Sequence, residues 1–252
     1  MRIPRVNVEI NLLMKCNAAC ANCNRGVREF PEREDMMTVA QIEDFIAQAR
    51  RRQDVKIKKV KLVGGEPTIH PDFEQIYHLL LAAVDDGVIE GLKVNTNTIK
   101  GAPPSTTVKH PKVRWLHSPL KKKRHLPYVL HPKDLGLEAK GPCRMPFTCG
   151  FSLDPRGWLP CSPAILIAGA FDLEHLYRDD IPKDFWGHSL CDHCVFAVPE
   201  SWRSAWHKQN RGLTLVEPSP RWKAGLENYA AKHDTKLRLP TSKNAKIPLV
   251  MA

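Results

Sequence analysis

Cys16, Cys20 and Cys23 stand on one short stretch near the amino terminus, Cys16-Asn17-Ala18-Ala19-Cys20-Ala21-Asn22-Cys23, directly after the largely apolar run from Val6 to Met14. Three thiolates in a C-x3-C-x2-C loop can hold three irons of a cubane and leave the fourth iron without a protein ligand. An open coordination position belongs to catalytic rather than structural metal centres, so the spacing points to a cluster that binds a ligand and reacts with it. A zinc site is the bland alternative for the same residue types.

A second stretch, Lys59-Val60-Lys61-Leu62-Val63-Gly64-Gly65-Glu66-Pro67-Thr68, reads as a strand that ends in two glycines, a carboxylate and a proline. Glycines at a strand end let a ligand approach the backbone closely, and Glu66 can accept hydrogen bonds from an ammonium group. Taken in this order, the two motifs resemble the radical S-adenosylmethionine (SAM) superfamily. The resemblance implies that Cys16, Cys20 and Cys23 hold a 4Fe-4S cluster whose open iron is chelated by the amino and carboxylate groups of SAM. It also assigns Gly64, Gly65 and Glu66 to the SAM amino group. Asn22 departs from the pattern, since the family usually has an aromatic residue just before the third cysteine.

The elements that must position these groups follow from periodicity. Val8 to Leu13 is expected as a first strand, interrupted in its alternation by Glu9 and Asn11. Thr38-Val39-Ala40-Gln41 is a capping-box start for a helix with Val39, Ile42, Phe45, Ile46 and Ala49 on one face. Residues 57–63 make a second strand. A helix then starts at Pro71, with Phe73, Ile76, Leu79, Leu80 and Val84 inward and a stop at Gly87. Residues 92–96 and 113–117 read as third and fourth strands. Strands alternating with helices imply a parallel sheet with right-handed crossovers and chemistry at the strands' C-terminal ends. The cysteine loop and Gly64-Gly65-Glu66 both sit there. Asn97, after the third strand, and Ser118, after the fourth, are by resemblance further SAM-binding candidates, with a polar turn as the alternative at Asn97.

The stretch from 118 to Cys143 is too short for two more strand-helix pairs, so the fold class is α/β, a truncated (β/α) barrel. Beyond it lie Cys143, Cys149, Cys161, Cys191 and Cys194. Residues 149–161 look like a β-hairpin, with a turn at Asp154-Pro155-Arg156-Gly157, that brings its end cysteines together. Cys191-Asp192-His193-Cys194 is a C-x2-C knuckle suited to zinc or an iron-sulfur cluster. By resemblance this is a twitch domain, the shortened SPASM extension that holds one auxiliary 4Fe-4S cluster. Cys161, Cys191 and Cys194 are its expected ligands, and either Cys143 or Cys149 supplies the fourth. The expected organisation is a barrel core at 1–140, the cluster-binding appendage at 141–200, and a helical segment with a tail at 201–252. Trp202 and Trp206 are expected to pack the appendage onto the barrel. A last helix starts at Ser219-Pro220, with Trp222, Leu226, Tyr229 and Ala230 inward.

The 252 residues suffice for one large core, and Met1 to Arg5 lead into a strand with no signal-peptide core and no long apolar span. A cytoplasmic location is expected, where eight cysteines read as metal ligands rather than disulfides. Lys and Arg number 38 against 27 Asp and Glu, a net charge of +11. The excess gathers at Arg50 to Arg52, at Lys56, Lys58, Lys59 and Lys61, and at Lys121 to Arg124. Such runs suit the phosphates of a nucleotide or nucleic acid, or an acidic flavodoxin- or ferredoxin-type reductant; a solvated basic surface is the plain alternative.

The resemblance implies reductive cleavage of SAM to a 5'-deoxyadenosyl radical and hydrogen abstraction from a small polar substrate. An auxiliary cluster favours net oxidation, as in the twitch-type dehydrogenases of butirosin biosynthesis, or a rearrangement. Alternatives are a maturase of ribosomally made peptides, a nucleotide or nucleic-acid modifying enzyme, and a non-catalytic, zinc-stabilised nucleic-acid-binding module. No histidine forms a convincing catalytic pair, and no side chain is singled out as catalytic.

Overall fold

The structure is a computed structural model that describes residues 3–18, 20, 22–30, 33–98, 109–117, 128–209 and 216–239. Ser118 and the Lys121 to Arg124 run lie outside the described residues.

The first strand, β1 (Arg5–Asn11), begins earlier than expected and contains Glu9 and Asn11 rather than being broken by them. Its alternation sends Val6, Val8 and Ile10 into an apolar core shared with helix side chains, while Asn7, Glu9 and Asn11 take the opposite face. Helix α1 (Val39–Arg51) starts at the expected capping box: the Gln41 N–H donates to Thr38 Oγ1 at 3.2 Å, and the Thr38 N–H donates to Gln41 Oε1 at 2.9 Å. Strand β2 (Lys56–Val63) leads through a short 3-10 turn (Pro67–Ile69) to helix α2 (Phe73–Asp85), which buries Phe73, Ile76, Tyr77, Leu80 and Val84. Strands β3 (Leu92–Thr96) and β4 (Val113–His117) follow. These four strands are parallel and lie side by side in the order β4-β3-β2-β1.

The hairpin departs from expectation. After a short helix α3 (Met145–Thr148), strand β5 (Phe151–Asp154) pairs in parallel with β1, and β6 (Gly157–Leu159) pairs antiparallel with β5. The hairpin is the far edge of the main sheet, giving a six-stranded, mostly parallel sheet in the order β4-β3-β2-β1-β5-β6. Gly150 allows this join: a Cβ there would lie 2.2 Å from the Asn7 carbonyl oxygen.

A second core lies beyond the hairpin. Helix α4 (Ala164–Ala170), Ala-Ile-Leu-Ile-Ala-Gly-Ala, is buried along its whole length. It packs on α7 (Pro220–Lys232), where Gly169 lets the helices close: a Cβ there would meet the Tyr229 ring at 2.4 Å. From α7, Trp222, Leu226 and Tyr229 are buried as expected, each worth about 1.5–3 kcal/mol in apolar transfer. Helix α5 (His188–Cys191) carries the first half of the cysteine knuckle. Helix α6 (Glu200–Gln209) presents Trp206 to a small cluster with Leu130, Val195 and Val216. Part of the expected tail is pinned, as far as Leu239: Leu237 and Leu239 pack on the second core, and the Arg238 N–H donates to the Glu29 carbonyl at 2.8 Å. No helix among the described residues is long and apolar enough to cross a membrane.

Candidate active site

The cysteine loop leaves the C-terminal end of β1 and lies against the end of β2. Two backbone hydrogen bonds fix it there: the Gly65 N–H donates to Leu13 O at 2.7 Å, and the Glu66 N–H donates to Lys15 O at 3.0 Å. The two glycines are required by this contact. A Cβ on Gly65 would stand 1.9 Å from Lys15 O, and one on Gly64, whose φ is +136°, would stand 2.4 Å from Leu13 O.

Cys16 is within electrostatic reach of both Cys20 and Cys23, since its thiol is pushed up to about 11 chiefly by burial and further by Cys23, Glu66 and Cys20. Burial also raises Cys23, against hydrogen bonds to its sulfur from the backbone N–H groups of Arg25 and Val27. Among the described residues no three His, Cys, Asp or Glu side chains converge as around a single ion. A cubane spreads its ligands over several irons and does not need that convergence. Asn22 is buried and has φ +56°, a left-handed conformation that asparagine adopts far more readily than an aromatic residue. The backbone at this turn therefore accounts for the departure seen in the sequence.

Glu66 is 2% exposed, and its carboxylate organises the rim. Oε1 accepts from the Thr68 hydroxyl at 2.6 Å and the Thr68 N–H at 3.2 Å, and Oε2 accepts from the Asn97 N–H at 2.6 Å. The Asn97 side-chain amide in turn donates to Asn17 Oδ1 at 2.8 Å and approaches Cys16 Sγ at 3.7 Å. The ends of β1, β2 and β3 thus meet at Cys16, Glu66 and Asn97. Around them Asn17 Nδ2, Asn22 Oδ1 and Asn95 Oδ1 are buried without a hydrogen-bond partner among the described residues, which fits a site built to receive a polar ligand.

The five later cysteines divide. Cys143, Cys161, Cys191 and Cys194 line one small apolar cavity, together with Pro146 and Pro160, and Cys149 is not among its walls. Burial raises the Cys161 and Cys194 thiols and pushes Cys191 up to about 11, and each of the three also feels Cys143. The hairpin pairs Ser152 with Leu159, and Cys149, just before Gly150, is in electrostatic reach of Cys143. Helix α3 and the turn at Gly150, which has φ +114°, carry Cys149 toward the sheet, where it is in electrostatic reach of Lys93.

Sequence reasoning missed a polar network on the inner face of the sheet. Glu9 of β1 is buried and pairs with Lys61 of β2, accepts from the Ser162 hydroxyl, and lies 3.7 Å from Arg25. Arg25 also donates to Asn11 Oδ1 at 3.0 Å and Ser162 Oγ at 3.2 Å. Burial alone would raise the Glu9 carboxyl, but Arg25 and Lys61 hold it below its ordinary value. The available signal was a charge of opposite sign inside each of two adjacent strands.

Comparison with known proteins finds a match over the part of the chain that carries the cysteine loop and Gly64-Gly65-Glu66. Residues 10–106 match the family model described as the Radical SAM superfamily. The match covers under half of this chain, and this part of it is similar to a radical SAM domain. Two curated relatives, each named "Probable GTP 3',8-cyclase", come from Pyrococcus horikoshii and Thermococcus kodakarensis. The first is 41% identical over 83 residues, covering 33% of this chain and 25% of that protein. The second is 37% identical over 73 residues, covering 29% and 22%. The match thus spans about a quarter of the length of these relatives. Among solved structures, BtrN in complex with AdoMet and 2-DOIA matches with a TM-score of 0.41 and 15% identity, over 65% of this chain and 75% of that one. Streptococcus suis SuiB bound to precursor peptide SuiA matches with a TM-score of 0.37 and 20% identity, over 46% and 24%.

Proposed function

We propose that the chain reductively cleaves SAM and abstracts a hydrogen atom from a small polar substrate, for a net oxidation or rearrangement. The observation that carries this reading is the junction at Asn97, whose side-chain amide reaches Cys16 Sγ at 3.7 Å while its backbone N–H is held by Glu66 at 2.6 Å. One residue couples the cysteine loop to the Gly-Gly-Glu strand end.

The donor set fits the cofactors: three thiols on one loop for the cluster, and a buried carboxylate with unpartnered amide atoms beside it for the SAM amino acid end. Bound there, the cluster and SAM supply the 5'-deoxyadenosyl radical. The chain's own residues position and enclose it. Cys16, Cys20 and Cys23 hold the irons. Gly64 and Gly65 let the loop lie flat on the strand end, Glu66 accepts from the ammonium group, and Asn97 fixes Cys16. Cys143, Cys161, Cys191 and Cys194 hold a second 4Fe-4S cluster in their apolar cavity, and Cys149 is the cysteine left over. A cluster held by these four cysteines would supply a place for the electron left after hydrogen abstraction, which favours oxidation. A flavodoxin- or ferredoxin-type protein is the fitting reductant. A nucleotide substrate is the second reading, favoured by the name that the curated relatives carry.

The test is anaerobic reconstitution followed by SAM and dithionite, with 5'-deoxyadenosine measured by chromatography. The wild type is expected to form it and Cys20→Ala to form none. A colourless zinc protein that leaves SAM intact would overturn the reading.

A further inference from the structure

The inner face of the sheet carries a row of cations. Register places Arg114 of β4 opposite Lys93 of β3, Lys93 opposite Lys61 of β2, Lys61 opposite Glu9 of β1, and Glu9 opposite Ser152 of β5. Residues directly opposite on parallel neighbours share a face, so five strands contribute one lateral line, Arg114-Lys93-Lys61-Glu9-Ser152. Like charges placed directly opposite one another destabilise a sheet. Here three cations stand in sequence against a single carboxylate, and that carboxylate is already shared by Lys61 and Arg25. Among the described residues, no ion pair engages Lys93 or Arg114. Burial disfavours the charge on Lys93, as do Lys61, Arg114 and Lys59 around it. Lys93 is half-buried and Arg114 is exposed, so the row runs from the interior of the sheet face to its open edge, where an anion could reach both cations and offset their mutual repulsion.

We infer that Lys93 and Arg114, with Lys61 beside them, form the subsite for a phosphate group on the substrate. The inference rests on the proposed function, since it names the substrate class of the same site. Lys93 and Arg114, the two cations of the row without an ion pair among the described residues, match a phosphate monoester, which carries about −1.5 to −2 at neutral pH, better than a single carboxylate. Lys93 of β3 lies four residues before Asn97, which follows the end of the strand. At about 3.3 Å per residue this sets the backbone of the row some 13 Å below the rim, and the long Lys93 and Arg114 side chains can bridge part of that depth toward a phosphate. Asn95 lies between the two levels on the same face, with a buried Oδ1 that has no partner among the described residues and would accept from a substrate hydroxyl.

The experiment is titration calorimetry on the anaerobically reconstituted full chain, with glycerol phosphate as probe and glycerol and glycerate as its neutral and carboxylate counterparts. Saturable binding of glycerol phosphate is expected, with none of glycerol. Lys93→Gln and Arg114→Gln should each weaken it by about tenfold or more, the scale of one lost charge-assisted hydrogen bond. Lys93→Arg should retain it, and Lys223→Gln, an exposed cation on α7, should leave it unchanged. Absence of saturable binding, equal binding by the row variants, or glycerate binding as tightly as glycerol phosphate would overturn the inference. The two readings separate in the wild type. Binding of glycerol phosphate without any 5'-deoxyadenosine from SAM defeats the enzyme reading alone, and SAM cleavage without binding defeats the phosphate subsite alone.

Discussion

Replacing Gly65 with alanine tests whether the glycines serve the cysteine loop as well as SAM. The new Cβ would stand 1.9 Å from Lys15 O, 2.5 Å from Lys15 C and 3.1 Å from Cys16 Cβ, whereas ordinary contact begins at 3.4 Å. Relief needs a shift of roughly 1.5 Å, and the obstructing atoms are backbone, which cannot swing aside as a side-chain tip would. The shift pulls on two hydrogen bonds, Gly65 N–H to Leu13 O and Glu66 N–H to Lys15 O. Overpacking of this kind costs about 1–3 kcal/mol, and each of the two weakened hydrogen bonds adds about 0.5–1.5 kcal/mol, for a total of about 2–6 kcal/mol. For a chain of this size that lowers Tm by at least about 4 °C. The displaced atoms carry Cys16, so iron loading should fall with stability, and 5'-deoxyadenosine formation should fall by about 100-fold, the scale of an ångström-level misplacement. Gly87→Ala is the matched control. It forces φ +74° on alanine but meets nothing within 4 Å, so it should cost about 1–2 kcal/mol and leave iron and turnover intact. Gly65→Ala protein with full iron content and wild-type SAM cleavage would refute the packing argument. Full iron content with weakened SAM binding alone would assign the glycine to the ligand instead.

Glu66→Gln should lose at least tenfold in SAM cleavage, because an amide presents both a donor and an acceptor where the carboxylate accepts from Thr68 and Asn97 simultaneously; equal SAM affinity by calorimetry would contradict this. Cys143→Ala should lower iron from about eight to about four per chain while Cys149→Ala leaves it unchanged, and the opposite outcome would exchange their roles. Glu9→Gln should destabilise the fold by about 3–5 kcal/mol at neutral pH, since it strands Lys61 and Arg25 partly buried; a denaturant midpoint equal to wild type would count against the network. The same carboxyl is held below its ordinary 4.5, so the stability it supplies is present above that pH and is lost as the pH falls through the lowered value. The acid limb of the Tm profile should therefore be flatter in Glu9→Gln than in wild type.

The first four strands and both early helices were legible because each buries one face and so carries its own period in the sequence. The position of β5 was not. Its hairpin pattern would be the same in a separate appendage or at a sheet edge, and its pairing with β1, Val8 to Phe151, leaves no mark in local spacing. At the site, residue types identified the cysteine loop and Gly64-Gly65-Glu66, but the reason for the glycines was only half visible. A close approach to a ligand and a close approach to Leu13 and Lys15 demand the same residue. The choice between Cys143 and Cys149 was open in the sequence because both precede the hairpin. In the fold Cys143 lines the four-cysteine cavity, while Cys149, across α3, lies within electrostatic reach of both Cys143 and Lys93.

Glu9 and Asn11 were the residues most easily misread, and the reason is general to a partial barrel. A strand buried on both faces is ordinarily apolar throughout, as in a parallel sheet covered by helices. Here the outer face of β1 packs on the apolar core, while the inner face holds polar groups in fixed positions, Asn7 against α3 and Glu9 and Asn11 in the ion-pair network. Ser162 supplies one fixture: its hydroxyl meets both Glu9 and Arg25, and it sits two residues before α4. That helix has no polar side chain and is buried from end to end against α7, so Ser162 is anchored by an apolar core on one side while it bonds a buried ion pair on the other. Cys161 is its neighbour in the chain. The apolar stretch after the hairpin, which carries no chemistry of its own, is therefore what holds the inner wall of the sheet and the four-cysteine cavity in one fixed relation.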